Sequence, residues 1–420
     1  MLNYRYVSAI VNSTKKDVML LAPDANTMPE NWDRKGLPAW SFFNAEMLEL
    51  EKEQLFRRHW QVVCHASDIP GAGDFITLDM VGERALVIRG HDGVIRAFHN
   101  LCRHRGSRVM AEQSGTCKSA IICPFHGWAY NLDGTLRGVA KPDSLPRFDP
   151  VEMGLKPIEM DIWQGFVFVR FQPGPQPSMR EVMARFDDEV AQYALESLQP
   201  SGEGFYTEEI AANWKCVRDV DNEGYHVPMA HPGLQDLYGP NYFDEPFHQG
   251  TSRSFANFRE GNGRLWSVRA YKSVLEPPAR LDDEHKTAWL YYGVFPNFVF
   301  GLYPDSVIFY QEYPLANGRT VQRSATYRYP DEDRRMRLAR YLSGRIDRIT
   351  SEEDVQLIKW TWEAAFSSGY DGVILSDLEY GVKTYHDILR RHFPVLAEDE
   401  PPEGMLARRN EELLAQAATA

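Results

Sequence analysis

Two pairs of cysteine and histidine lie close together in the first third of the chain. Cys102 and His104 belong to the segment LCRHRG, and Cys123 and His126 belong to CPFHGW, with 18 residues between His104 and Cys123. Thiolate sulphur and imidazole nitrogen are ligands of zinc and of iron–sulfur clusters, and a short spacing lets one loop present two of them. The pattern therefore predicts a [2Fe–2S] centre in which each loop reaches both irons, with a structural zinc site as the alternative.

A second group of candidate ligands lies about a hundred residues further on, in the segment EGYHVPMAH. His226 and His231 would point about 140° apart on a straight helix, but Pro228 between them must distort or end the helix and can redirect the second ring. Two histidines and one carboxylate on one face of iron leave positions open for dioxygen. We predict a non-haem Fe(II) site here, with a purely structural histidine pair as the alternative.

Taken together, the two groups resemble the Rieske non-haem iron oxygenase family, in its α subunit. The shared features are C-x-H-R-G, CP-x-HGW, then NWK and an acid three residues before the first of two histidines five apart. The resemblance runs from about residue 45 to 392. It implies that the Rieske cluster is held by Cys102, His104, Cys123 and His126, and that His226 and His231 bind mononuclear Fe(II). It also implies that Glu223 bridges the cluster of one subunit to the iron of its neighbour.

The third iron ligand must come from later in the chain. Asp354, in the segment SEEDV, matches the family's late pair of acids at the start of a helix and is the predicted ligand. Glu353, Asp371 and Asp377 are its rivals. Asp219 stands where the family often has asparagine, and its role stays open.

The arrangement of elements predicts an α+β protein with two main domains. We expect an N-terminal helical segment at 1–60, a small antiparallel β Rieske domain at 61–172, a larger catalytic domain at 178–395 and a loosely held tail at 396–420. The catalytic domain should be helix-grip-like, an antiparallel sheet covered by helices. The predicted helices span about 41–60, with Ser41 as a candidate cap, and 179–195, 334–348, 352–366 and 378–392.

Composition narrows the class of protein further. The 420 residues carry a formal net charge of −13, which argues against a general nucleic-acid grip or an anionic-membrane footprint. Five cysteines do not make a disulfide framework, and no stretch reaches 18 uninterrupted apolar residues. A reducing, cytoplasmic location is expected.

The resemblance also implies how the two metals work together and what they act on. Electrons would come from NAD(P)H through a separate flavin/iron–sulfur reductase and cross a subunit interface in a homotrimer. Aromatic residues fill roughly a fifth of positions 205–313, against 12% of the whole chain, which suits a methylated ammonium or a planar ring. Chain length and Glu223 resemble the quaternary-ammonium branch, which acts on proline betaine (stachydrine), glycine betaine or carnitine.

We therefore expect hydroxylation of an N-methyl group with loss of formaldehyde, proline betaine being the favoured substrate. The alternative is an aromatic-ring hydroxylating dioxygenase or O-demethylase. An electron carrier or a zinc-stabilised binding module would need neither the His226/His231 pair nor a second domain of this size.

Overall fold

The computed structural model describes residues 28–370 and 372–419, and their contacts divide the chain into two units. The smaller unit is Leu50–Pro200. The larger unit combines the described residues up to Glu49 with those from Ser201 onward. The predicted domain boundaries at 60, 172, 178 and 395 stay predictions. Residues 1–27 of the predicted N-terminal segment lie outside the described residues.

The smaller unit consists of three small β-sheets, with strand orders β1-β10-β9, β4-β3-β2-β5 and β6-β7-β8. Two of its hairpins, at Val81-Gly82 and Gln164-Gly165, are two-residue turns with positive φ at both positions, the geometry that matches strand twist. The strands are β1 (Gln61–His65), β2 (Asp74–Met80), β3 (Glu83–Arg89), β4 (Ile95–His99), β5 (Ser114–Thr116), β6 (Ile121–Ile122), β7 (Ala129–Tyr130), β8 (Leu136–Gly138), β9 (Glu159–Trp163) and β10 (Phe166–Arg170). This is the small antiparallel β domain that the glycine spacing predicted.

The larger unit is built on one seven-stranded sheet, ordered β11-β17-β16-β15-β14-β13-β12. Its strands are β11 (Gln199–Ile210), β12 (Tyr242–His248), β13 (Thr251–Asn257), β14 (Ala288–Val294), β15 (Phe298–Leu302), β16 (Ser306–Ala316) and β17 (Arg319–Arg328). From β12 to β17 every neighbouring pair is antiparallel. Helices cover the sheet, so the predicted α+β class with a helix-grip-like catalytic domain is confirmed.

The α-helices of the described residues are mostly short. Their bounds are Trp40–Phe43, Ala45–Glu51, Met179–Met183, Asp187–Ala191, Trp214–Asp221, Val227–Ala230, Pro232–Leu237, Trp266–Val274, Arg334–Ala364, Tyr380–His392 and Leu406–Thr419. A π-helical turn at Lys52–Phe56 continues the segment that we predicted as one helix at 41–60, and Leu48, Leu55 and Phe56 are buried as expected. Ser41 is not a cap, because the first helix begins beyond Ala39 and Ser41 lies inside it.

One helix of 31 residues, Arg334–Ala364, replaces the two helices that we predicted at 334–348 and 352–366. We call it the long helix. The predicted break was wrong because the weak helix formers Ile349 and Thr350 cost only a few tenths of a kcal/mol each. Packing of the buried residues Leu342 and Ile346 before them and Ile358 after them outweighs that cost. Asp354 therefore sits within a helix rather than at the start of one.

The C-terminal segment is anchored rather than loose. Its helix begins at Leu406, whose side chain is buried, and Arg409 donates to the Glu398 carboxylate at 2.7 Å. Among the described helices, none combines the length and the apolar composition needed to cross a membrane.

Two candidate metal centres

The two Cys/His loops of the smaller unit have matching backbone turns. The amide of Gly106 donates to the carbonyl of Cys102 at 2.9 Å, and the amide of Gly127 donates to the carbonyl of Cys123 at 3.0 Å. Both glycines have positive φ, near 70°, which side chains rarely tolerate. The glycine next to each pair therefore makes the tight turn that folds the ligands of each loop toward one point.

The two cysteines are buried more deeply than the two histidines. Cys102 and Cys123 are buried, and burial together with the neighbouring Cys123 sulphur raises the pKa of the Cys102 thiol. The rings of His104 and His126 lie 4.7 Å apart between centroids, with His126 exposed. Two adjacent sulphurs inside and two adjacent imidazoles outside fit a [2Fe–2S] cluster in which one iron takes both cysteines and the other both histidines.

Tyr130 adds a contact that the sequence did not reveal. Its hydroxyl lies 3.3 Å from Cys102 Sγ and accepts the backbone amide of Arg103 at 3.0 Å. A hydrogen bond to a ligand sulphur tunes the potential of an iron–sulfur cluster. The only sequence signal was an aromatic residue two positions after Trp128.

The second site lies in the larger unit, where His226, His231 and Asp354 bring their ligand atoms within 4.8 Å of one another. The Nε2 atoms of the two histidines are 3.0 Å apart, and Asp354 Oδ1 is 2.9 Å from His231 Nε2 and 3.5 Å from His226 Nε2. The short helix that contains Pro228 ends at Ala230, so the chain turns between the two histidines. The predicted redirection of the second ring is what the structure shows.

Carboxylates hold the outer nitrogens of both rings. Glu223 Oε1 lies 2.6 Å from His226 Nδ1 and its other oxygen accepts the backbone amide of His226 at 3.1 Å, while Glu353 Oε2 lies 2.9 Å from His231 Nδ1. Such contacts leave both Nε2 atoms free to face a metal. Burial opposes a charge on His226, but Asp354 and Glu223 together raise its pKa to about 10. The site thus favours a positive charge at its centre, and its donor set fits Fe(II).

The remaining candidates are distributed elsewhere. Asp377 binds Trp32 Nε1 at 3.2 Å and Arg34 at 2.6 Å, and Asp371 lies outside the described residues. Asp219 Oδ1 lies 2.8 Å from the buried His386 Nε2. Of the two rivals that the structure describes, Glu353 and Asp377, it brings only Glu353 to the histidines, on the outer nitrogen of one of them.

A buried ion cluster lies on the helix Trp214–Asp221 and strand β16. Arg218, fully buried, reaches Asp221 at 2.5 Å and Glu312 at 3.3 Å, and the Tyr310 hydroxyl donates to Asp221 at 2.6 Å. Burial raises the pKa of Glu312 to about 7, although the Arg218 charge opposes that rise. Sequence reasoning missed this cluster, because Glu312 lies 94 residues from Arg218 and only the fold brings them together.

We expect Arg218→Met to lower the free energy of unfolding by about 3–5 kcal/mol at pH 8, because it strands two buried carboxylates. The loss should shrink towards pH 5, since Glu312 takes up a proton below its raised pKa and sheds the uncompensated charge. Urea unfolding at both pH values measures this. Arg319→Met is the matched control, since Arg319 pairs with Glu209 at the surface, with side chains 52% and 47% exposed, and should cost less than about 1 kcal/mol. Equal losses at pH 5 and pH 8 would contradict the electrostatic origin.

Comparisons with known proteins agree with both sites. Residues 59–149 match the Rieske [2Fe-2S] domain, and residues 181–394 match the catalytic domain of the ring hydroxylating alpha subunit. The carnitine monooxygenase oxygenase subunit of Escherichia coli is 26% identical over 393 residues, which cover 89% of this chain and 99% of that protein. The glycine betaine monooxygenase oxygenase subunit of Chromohalobacter salexigens is 32% identical over 231 residues, 54% of this chain and 51% of that protein.

A solved structure shares the fold. The quaternary ammonium Rieske monooxygenase CntA superposes with a TM-score of 0.72 at 24% identity, covering 85% of this chain and 95% of that one. The catalytic-domain match alone spans half of the chain, and it includes both histidines and Asp354. The chain belongs to the ring-hydroxylating alpha-subunit family and is a Rieske non-haem iron oxygenase.

Proposed function

We propose that this chain is the oxygenase component of an enzyme that hydroxylates an N-methyl group of a quaternary ammonium compound, with proline betaine as the favoured substrate. Dioxygen, two electrons and two protons convert the N–CH₃ group to N–CH₂OH and release water. The N–CH₂OH group then breaks at its C–N bond, giving formaldehyde, a proton and the tertiary amine. The [2Fe–2S] cluster would supply electrons singly, and Fe(II) would activate dioxygen.

The observation that carries the substrate class is the interior beside the iron ligands, where acids lie among aromatic rings. Burial, followed by the charges of Asp347, Asp244 and Asp354, raises the pKa of Tyr238 well above its ordinary value, so three carboxyl groups lie around one buried hydroxyl. Tyr242 stacks on Tyr238 with ring centroids 5.6 Å apart. Acids and aromatic faces favour a methylated cation over an aromatic acid, which would bring a further negative charge. The names of the carnitine and glycine betaine relatives support the same class.

We assign roles to the chain's own residues on this basis. Cys102, His104, Cys123 and His126 would hold the cluster, and His226, His231 and Asp354 would hold the iron. Glu223 and Glu353 would accept hydrogen bonds from the outer imidazole nitrogens and fix the direction of each ring.

We further propose a cytoplasmic homotrimer supplied by a separate NAD(P)H-dependent reductase, with electrons passing between protomers through Glu223. Two surface features support a contact of this kind. The cluster ligand His126 is exposed on the smaller unit, and Phe125 beside it is 54% exposed. Around Glu223, the side chains of Tyr225 and Met229 are 53% and 59% exposed, which is unusual for large apolar groups next to a buried site.

Metal content and product analysis test the proposal together. We expect about three iron and two acid-labile sulfide per chain. With a surrogate reductase, proline betaine, glycine betaine and carnitine should be compared with benzoate and anthranilate for oxygen uptake and formaldehyde release. Formaldehyde in equal amount to the oxygen consumed, from at least one betaine, is the expected result. A hydroxylated aromatic acid without formaldehyde would instead establish the ring-hydroxylating alternative.

A further inference from the structure

One partly buried carboxyl group of the larger unit has no cationic partner among the described residues. Asp347 lies on the long helix with its Oδ1 atom 3.2 Å from the Tyr303 hydroxyl. Across residues 28–370 and 372–419, no lysine, arginine or histidine lies within ion-pair distance of it. Burial, with a smaller contribution from the charge of Asp305, raises its pKa to about 8. Unpaired acids in such places are costly to the fold and call for an explanation.

The position of Asp347 connects it to the iron site. It precedes Asp354 by seven residues, two turns of the long helix, so the two side chains share a face with a rise of about 10 Å between them. The hydroxyl of Tyr238 feels the charges of both acids. A substrate with one N-methyl group at the iron would place its nitrogen between Asp347 and Asp354.

Aromatic rings pack against the tyrosine that contacts this carboxyl group. The Tyr303 hydroxyl lies 3.1 Å from that of Tyr291, and their rings meet edge to face at 5.7 Å. Trp289 stacks on Tyr303 at 4.2 Å. Tyr291 keeps partial solvent access although the charges of Asp347 and Asp221 both reach its hydroxyl. A carboxylate set among aromatic rings is the chemistry that recognises a methylated ammonium ion.

We propose that Asp347 is the counter-ion of the substrate's quaternary ammonium group and determines the preference of this enzyme for a cation over a neutral group of the same shape. This inference rests on the proposed function and names a residue for its specificity. In the substrate-free protein at neutral pH the carboxyl group carries its proton and spares the interior a charge; a bound cation displaces that proton.

The test measures binding of two pairs of isosteric probes to the purified, iron-loaded protein in its native assembly. Glycine betaine is compared with 3,3-dimethylbutanoate, and choline with 3,3-dimethylbutan-1-ol, by calorimetric titration without oxygen. In each pair a quaternary nitrogen replaces a quaternary carbon. We expect the wild type to prefer the cation, and Asp347→Asn to lower that preference about tenfold while binding the neutral probes unchanged. Asp305→Asn is the matched control, because Asp305 is also buried but is satisfied by Tyr271, Ser343 and Ser306.

The possible outcomes distinguish a failure of the counter-ion assignment from a failure of the proposed function. A wild type that prefers the cation, with the preference intact in Asp347→Asn, overturns the counter-ion assignment and leaves the proposed function standing. A wild type that prefers neither member of either pair overturns both.

Thermal unfolding of the substrate-free protein distinguishes a binding role from a structural one. Removing the charge of Asp347 should raise Tm if the group serves binding, and lower Tm if the ionised group stabilises the fold. The pKa of Asp347 is higher in the folded chain than in the unfolded one, so its penalty is absent below about pH 4 and complete above about pH 8. The groups that face it are Tyr303, Tyr291, Tyr238, Tyr271 and Asp305. Asp347→Asn should therefore raise Tm by a few degrees at pH 9 and by less at pH 5. A lower Tm at pH 9 would mean that the ionised group stabilises the fold, against the proposal.

Discussion

We expect the Glu223→Gln variant, loaded with excess Fe(II), to keep the cluster absorbance and the iron content of the wild type while product formation falls by about a hundredfold. Glu223 contacts His226 twice, at the ring nitrogen and at the backbone amide, and ligates nothing itself in the proposed scheme. Glutamine keeps an oxygen for one of these contacts, so the iron ligand stays in place. It loses the negative charge that stabilises a proton shared between imidazole and carboxylate, and with it the proposed path between the two metals.

A single-turnover experiment identifies the step that fails. With the cluster chemically reduced and substrate and oxygen added, the wild-type cluster should reoxidise as product forms, whereas the Glu223→Gln cluster should stay reduced. Glu260→Gln removes the same charge from an exposed loop position and serves as the control. Reoxidation and product formation at wild-type rates in Glu223→Gln would remove Glu223 from the electron path, and a parallel loss of iron would make it a metal-site residue only.

The sequence predicted which candidate ligands lie close together because their spacing is local. Cys102 and His104 share one turn, and so do Cys123 and His126, so spacing alone shows that each loop can present two donors. The prediction for the histidine pair depended on one further feature, because Pro228 indicates that the chain cannot continue as a regular helix. The X-Gly turns in the smaller unit likewise carry their own backbone geometry.

Residues that depend on distant packing could not be found in the same way. Ile349 and Thr350 lower local helix propensity, and the acids after them read as the start of a new helix, so the sequence suggested two helices. Only packing of the buried residues of the long helix, from Met336 to Ile346 and again at Ile358, joins them. That continuity puts Asp347 and Asp354 on one face, a relation that is invisible when they are assigned to separate helices. Glu312 beside Arg218 is a second case, created by the docking of a helix on strand β16.

The continuous helix also gives Glu353 and Asp354, the two neighbouring candidates for the third iron ligand, different directions and therefore different expected roles. Asp354→Ala should reduce iron from about three to about two per chain, with sulfide unchanged, because the mononuclear ion loses one of its three protein ligands. Glu353→Gln should weaken iron binding by only about 10- to 100-fold, because Glu353 orients His231 through its outer nitrogen and does not face Nε2.

Titration of Fe(II) into the two apo variants distinguishes these roles. Iron binding and turnover in Glu353→Gln should be restored at higher Fe(II) concentration, whereas Asp354→Ala should stay inactive at any concentration that the protein tolerates. Consecutive residues on a helix point about 100° apart. The two acids therefore cannot exchange places unless the helix unwinds between its buried residues Ile346 and Ile358. If Glu353→Gln lost its iron irretrievably while Asp354→Ala kept it, Glu353 would be the ligand and the helix would have to rotate when the metal binds.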